Sequence, residues 1–543
     1  MTTTTPSPDT QPRRNPSAPQ AGSKTAIVIG GGIAGLASAA LLARDGHAVT
    51  LLEANHELGG RAGTWQSDGF RFDTGPSWYL MPEVFDHFFR LLGTSADEQL
   101  DLVKLDPGYR VYFENAAEPI DIAADRDSNI DTFERVEPGA GDALDRYLDS
   151  AEDTYRTAVD RFLYTSFASF RPFLDRELLD RLGRLGTLLT KPLDRFVAGY
   201  VKDKKLQQIL GYPAVFLGSS PDRTPAMYHL MSHLDMADGV LYPRGGFSTI
   251  IDSIAALARA EGVTIVTDAR VSEILTEPST GRRQPLTAGV RYANAAGEQT
   301  ELTADLVVSC ADLHHTETEL VAPKLRTYPE RWWRKRMSGP GAVLVMLGVR
   351  GELPELKHHT LFFTEDWKTN FDTIFGKRHS VPTPASFYAC TPSSTDPSVA
   401  PAGDSNIFLL VPVPADPGLG HGGIDGTGSD VVEAIADRAI AQLAESTGVL
   451  DLADRIAVRR TVGPADFVDT LNSWKGGALG PAHTLRQSAF FRGSNKSKHI
   501  EGLYYAGGST IPGIGLPMCL ISAEIMLKRI RQDPSAAPLP EPL

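Results

Sequence analysis

Cysteine is scarce: Cys310, Cys390 and Cys519 stand alone in 543 residues with no CxxC pair. That scatter indicates neither a disulfide framework nor a zinc site, and it suits a reducing cytoplasm. Positive charge is also short. The 53 Lys and Arg residues against 67 Asp and Glu leave a net charge of −14, which argues against nucleic acid, whose phosphates call for a basic surface. The same balance weakens any global attraction to anionic lipid and leaves membrane contact to local patches. Long apolar runs are nearly absent. Thr25 to Ala43 is uncharged and follows Arg13-Arg14, as a signal peptide or membrane helix would, but its dense glycines suit a βαβ turn better than a bilayer. What the chain does have is bulk. With 42% hydrophobic residues over this length it buries an ample core and is expected to form two or three domains.

Two glycine-rich signatures sit at opposite ends. Gly30-Gly31-Gly32-Ile33-Ala34-Gly35 follows the strand-like Ala26-Ile27-Val28-Ile29 and opens a small-residue helix to Arg44. In that context glycines let the backbone approach a pyrophosphate at a helix N-terminus. A second strand, Ala48 to Leu52, delivers Glu53, placed to accept hydrogen bonds from an adenosine ribose. The other signature runs from Gly507-Gly508 through Gly515-Leu516-Pro517. Together they suggest one dinucleotide held between distant parts of the chain. Gly418, Gly420 and Gly423 repeat the spacing, but Pro412, Pro414 and Pro417 interrupt the approach. That stretch reads as a surface loop.

The segment pattern predicts an α/β fold with a Rossmann-like nucleotide-binding domain built from discontinuous segments, 24–107, 241–315 and 471–531. Between them lie a helical insertion over 108–240 and an α+β substrate domain over 316–470. Residues 1–23, rich in Thr, Pro, Ser and Gln, and residues 532–543 read as disordered tails.

Further motifs continue the series: Leu58-Gly59-Gly60-Arg61-Ala62, Phe72-Asp73-Thr74-Gly75-Pro76-Ser77, Tyr242-Pro243-Arg244-Gly245-Gly246, Leu471-Asn472-Ser473-Trp474 and Gln487 to Arg492. On these residues the chain resembles the bacterial phytoene desaturases, FAD-dependent enzymes of carotenoid synthesis within the flavin amine oxidase-like group. The resemblance spans nearly everything from Lys24 to Ile530. It implies FAD as cofactor, contacted by Gly30, Gly32, Ile33, Ala34 and Gly35, by Glu53 and Ala54, and by Gly59, Gly60 and Arg61. Gly75, Pro76, Ser77 and Val271 are expected beside them, with Gly507, Gly508, Gly515, Leu516 and Pro517 closing the site. Many relatives carry a histidine before the proline of the C-terminal loop and a glycine after its last proline, where this chain has Ile511 and Met518.

The implied reaction sets an allylic carbon of a polyene, phytoene or a related carotene, against flavin N5, with hydride passing to the flavin and a neighbouring carbon losing a proton. A single dinucleotide fingerprint leaves oxygen or a quinone as the electron acceptor. Such chemistry needs no metal and no nucleophile. His229 and His233 stand four apart but flank no Glu and read as a helix face, while His314-His315 and His358-His359 read as loop residues. Arg171, Asp175 and Asp235 are conceivable proton acceptors, and no catalytic residue is assigned.

An apolar substrate dissolved in lipid implies peripheral contact with the inner face of the cell membrane. Arg181 to Lys205 and Arg331-Trp332-Trp333-Arg334-Lys335-Arg336 mix cations with aromatics as membrane-lying segments do. The rival readings are a carotenoid isomerase or ketolase, a flavin amine oxidase, and a prenyl-binding protein without flavin chemistry.

Overall fold

The computed structural model describes residues 24–167, 182–279, 281, 284–376 and 380–543. The tail expected over 1–23 lies outside the described residues. In chain order the strands of the two largest sheets are β1 (Thr25–Ile29), β2 (Ala48–Leu52), β3 (Tyr109–Phe113), β4 (Ile120–Ile122), β5 (Thr264–Val266) and β6 (Leu306–Ser309). They continue with β7 (Gly341–Val349), β8 (His359–Phe363), β9 (Phe387–Cys390), β10 (Ser405–Val413), β11 (Ile456–Val462) and β12 (Leu503–Tyr505).

One sheet is wholly parallel, in the order β12-β6-β1-β2-β5. Its central strand, Thr25 to Ile29, is an apolar run because both faces of a parallel sheet are covered. The helix α1 (Ile33–Arg44) lies on it between α5 (Ser248–Ala260) and α7 (Leu516–Arg531), with α2 (Pro82–Leu91), α3 (Ala140–Ala158), α4 (Leu182–Thr190) and α6 (Asp430–Thr447) placed elsewhere in the fold. Ala37, Ala39 and Ala40 are fully buried, and their short side chains let three helices and a sheet crowd together.

The other sheet runs β11-β7-β10-β9-β8-β3-β4, antiparallel except between β8 and β3. Alternation along β7 explains its two faces. Val343, Val345 and Leu347 pack with Ile435, Ala436 and Leu443 of α6, while Ala342, Leu344 and Met346 join Tyr147 of α3 and Leu193 on the opposite side.

Four expectations are corrected here. The stretch over 108–240 is not helical throughout, because Tyr109, Val111 and Phe113 alternate inward and β3 pairs with β8. The C-terminal stretch 532–543 is not a loose tail. Leu539 is buried among side chains of α2 and α7, and the Leu543 N–H donates to the Leu91 carbonyl at 3.1 Å. His314 and His315 sit in a helical turn capped by the Asp312 carboxylate, and His359 opens β8 as a buried residue. The glycine stretch near Gly423 is not merely surface, since Gly422 and Gly423 reach the wall of the main cavity. Among the described residues no helix is long and apolar enough to cross a membrane.

Candidate functional site

The turn from β1 into α1 is tight because it lacks side chains. Gly30 has φ 100° and donates its N–H to the Leu52 carbonyl at 2.8 Å. A Cβ on Gly31 would lie 2.6 Å from Leu58 Cδ2, and one on Gly35 would lie 1.8 Å from the Gly30 carbonyl oxygen. The first intrahelical bond of α1 runs from the Leu36 N–H to the Gly32 carbonyl. The N–H groups of Ile33, Ala34 and Gly35 therefore have no partner within the helix, and Ile33 and Ala34 line the cavity in front of it.

Glu53 follows β2 and is 6% exposed. Its Oε2 accepts the Gly31 N–H at 2.5 Å, and its Oε1 accepts the Asn55 N–H at 2.8 Å, tying the end of β2 to the glycine turn. The second motif docks on the first: the Gly59 N–H donates to the Gly31 carbonyl at 2.9 Å, and Gly32 and Gly59 form an isolated bridge. Arg61 reaches across to the Ala478 carbonyl and to Ser473 Oγ, at 2.9 and 3.1 Å. Gly75 fits under that arginine's backbone, and Ser77 Oγ meets the Tyr388 hydroxyl at 2.7 Å.

From the other end of the chain, β12 carries Gly507 and Gly508 beside α1, and Gly515 caps α7. This loop is held by groups to which sequence reasoning gave no role. The Arg492 guanidinium is buried and donates to the carbonyls of Thr510, Gln487, Pro481 and Gly508. Burial pushes its pKa down to about 10. His483 Nε2 accepts the Ile514 N–H at 3.2 Å, which puts the ring proton on Nδ1, facing the Tyr228 hydroxyl at 2.8 Å. That hydroxyl donates onward to Ser488 Oγ. Burial drives the His483 pKa well below its ordinary value, so the ring is neutral.

All of these pieces open on one cavity of about 2390 Å³, well above the upper range of about 1,000 Å³ for ordinary small-molecule pockets. Of the expected cofactor contacts, Gly30, Gly32, Ile33, Ala34, Glu53, Ala54, Gly59, Gly60, Arg61, Gly75, Pro76, Ser77 and Val271 line it, as do Gly507, Gly508, Gly515, Leu516 and Pro517. Gly35 does not; it lets α1 pack on the turn. Two helix N-termini and a Cβ-free turn fit the charged middle of a dinucleotide. Much of the remaining wall is apolar, with Tyr155, Phe162, Leu230, Met231 and Leu234 among its side chains.

Of the conceivable proton acceptors, only Asp235 is among the described residues. Arg171 and Asp175 lie outside the described residues. Asp235 is buried off the cavity against the Tyr212 hydroxyl at 2.5 Å, and burial pushes its pKa up to about 7. His229 is held by Ser150 Oγ and the Ala226 carbonyl, each at 2.9 Å.

The two stretches expected to meet a membrane are only partly surface. Trp333 is 1% exposed and donates to the Tyr328 carbonyl, while Leu193 and Val197 are buried. Arg181 lies outside the described residues. Exposed apolar side chains line the cavity at Leu189, within the first of these stretches, and at Ile424, Leu485, Phe490 and Phe491, the last two 53% and 46% exposed with rings 4.2 Å apart.

A family profile described as "Flavin containing amine oxidoreductase" matches residues 33–525. The chain is 42% identical to a carotenoid 3,4-desaturase of Haloarcula japonica, covering 93% of this chain and 98% of that one. It is 35% identical to a zeta-carotene-forming phytoene desaturase of Myxococcus xanthus, covering 93% of each. Among solved structures, an oxidoreductase from Methanosarcina mazei aligns over 93% of this chain and 100% of its own, with a TM-score of 0.58 at 16% identity.

Proposed function

Because the chain belongs to the flavin-containing amine oxidoreductase family, and within it to the carotenoid desaturases, we propose that it is an FAD-dependent desaturase of phytoene or a related carotene. The observation that carries this reading is the continuity of the cavity, which joins a dinucleotide cradle to an apolar wall without a partition. When bound, FAD supplies a two-electron acceptor for the hydride equivalent that leaves the carotene.

The chain's own work is placement. Ile33 and Ala34 would present N–H groups to the pyrophosphate, and Glu53 would accept from the ribose. Tyr155, Leu230, Met231 and Leu234 would wall the polyene and keep water from the reacting carbons. His483, held neutral, fixes the loop at Ile514 without adding charge to the cavity. With one dinucleotide fingerprint, oxygen or a quinone is the terminal electron acceptor.

Expression in cells that accumulate phytoene is expected to give products absorbing at longer wavelength, read by pigment chromatography. Unchanged phytoene alongside FAD-loaded protein would remove phytoene as the substrate, and unchanged phytoene and lycopene alike would overturn the reading. The higher identity to a 3,4-desaturase favours a second one, in which an already conjugated carotene is the substrate. Conversion in lycopene-accumulating cells but not in phytoene-accumulating cells would select it.

Loading such a substrate calls for contact with lipid at the inner face of the cell membrane. The exposed Leu189, Leu485, Phe490 and Phe491 of the cavity lining support this. Burying a phenylalanine is worth about 1.5–3 kcal/mol, so replacing Phe490 and Phe491 together with serine is expected to weaken liposome co-sedimentation at least about tenfold. A wild-type chain that stays in the supernatant would count against any lipid contact.

A further inference from the structure

Away from the cavity wall, strand pairing assembles three side chains that lie far apart in sequence. His359 at the start of β8 stands opposite Cys390 at the end of β9, with His358 beside them. One ring nitrogen of each histidine and the Cys390 sulfur all lie within 4.8 Å of one another. The residues are 3%, 0% and 2% exposed in chain order, and none of them lines the cavity.

Each imidazole is already oriented from behind. His358 Nδ1 pairs with Thr395 Oγ1 at 3.0 Å, and His359 Nδ1 pairs with the Tyr388 hydroxyl at 2.7 Å. The other nitrogen of each ring, Nε2, is buried without a hydrogen-bond partner. Two buried nitrogens without partners on adjacent residues are costly to leave bare. A partner that fixes one ring nitrogen and leaves the other free is the arrangement metal-binding histidines show.

We propose that His358, His359 and Cys390 bind one closed-shell d10 cation, Zn(II) or Cu(I), as a structural clip between β8 and β9. Two imidazoles and a thiolate suit a borderline or soft ion, whereas magnesium and calcium take oxygen ligands. On binding, the Cys390 thiol releases its proton to solvent and the sulfur coordinates as thiolate, with no change of oxidation state. Bond lengths of about 2.0–2.3 Å require the three groups to close in by roughly half an ångström each. The clip meets the cavity wall through Trp78, whose ring stacks on His359 at 4.4 Å, and through Tyr388 and Ser77, so its role is to stiffen that wall.

The test uses the full FAD-loaded chain, stripped with chelator, dialysed and titrated with zinc chloride or, anaerobically, with Cu(I). Bound metal is counted by elemental analysis, and cobalt(II) loading is read by its thiolate charge-transfer band. Wild type is expected to hold about one ion per chain and to show the band. Cys390→Ser is expected to lose the band and bind at least about 100-fold more weakly, and Thr395→Val about 10- to 100-fold more weakly, with flavin absorption reporting an intact fold. A folded wild type that takes up neither metal and shows no band overturns the proposal, as does undiminished uptake by Cys390→Ser. Should that variant fail to fold, the wild-type band decides alone.

Discussion

A Gly35→Ala chain is expected to purify without flavin colour. The added methyl would lie 1.8 Å from the Gly30 carbonyl oxygen, a backbone atom with no side-chain freedom to withdraw. Either the turn opens or α1 lifts from the sheet, and both displace the unpartnered N–H groups of Ile33 and Ala34. Overpacking of this kind costs about 1–3 kcal/mol. At about 1.4 kcal/mol per decade, flavin affinity is expected to fall about 5- to 140-fold, together with a lower Tm. The FAD-to-protein ratio after gel filtration measures it. Full flavin content at an unchanged Tm would mean that this turn does not cradle the cofactor.

The other large effect is expected at Met231→Asp. Met231 lines the apolar part of the cavity and packs against the core beneath α1. An unpaired carboxylate there must either protonate or draw water in, and a buried charge without a partner costs about 3–5 kcal/mol. Desaturation per flavin-loaded enzyme is expected to drop by roughly two to three orders of magnitude, with FAD content held. Met231→Leu, nearly equal in volume, is expected to stay close to wild type. Product formed by the aspartate variant within tenfold of wild type would remove this wall from the substrate's path.

The glycine cradle was legible because its logic is local. Strand, turn, helix, second strand and Glu53 follow within one short segment, and each residue type answers a constraint set by its neighbours. The second sheet was not legible in the same way. β3 pairs with β8 across the helical insertion, the second nucleotide-binding segment and the start of the substrate domain, and no periodicity within Tyr109–Phe113 says which distant strand completes it. The same holds for Arg492 and His483, whose partners are carbonyls, an N–H and a hydroxyl from other loops. Trp333 shows the opposite limit. A cation-flanked tryptophan pair reads as surface, yet one ring is core because Tyr328 and Trp474 pack on it.

The strand order β12-β6-β1-β2-β5 also bears on how the protein is made. β1 leaves the ribosome early, but the edge strand β12 waits until residues 503–505 have been translated, about half a minute to a minute and a half later at 5–20 residues per second. Until then β6 offers a bare edge and the flavin pocket lacks its far jaw. Nascent chains are thus exposed to chaperones and proteases for nearly the whole of synthesis, and a late stop codon is as damaging to flavin uptake as an early one.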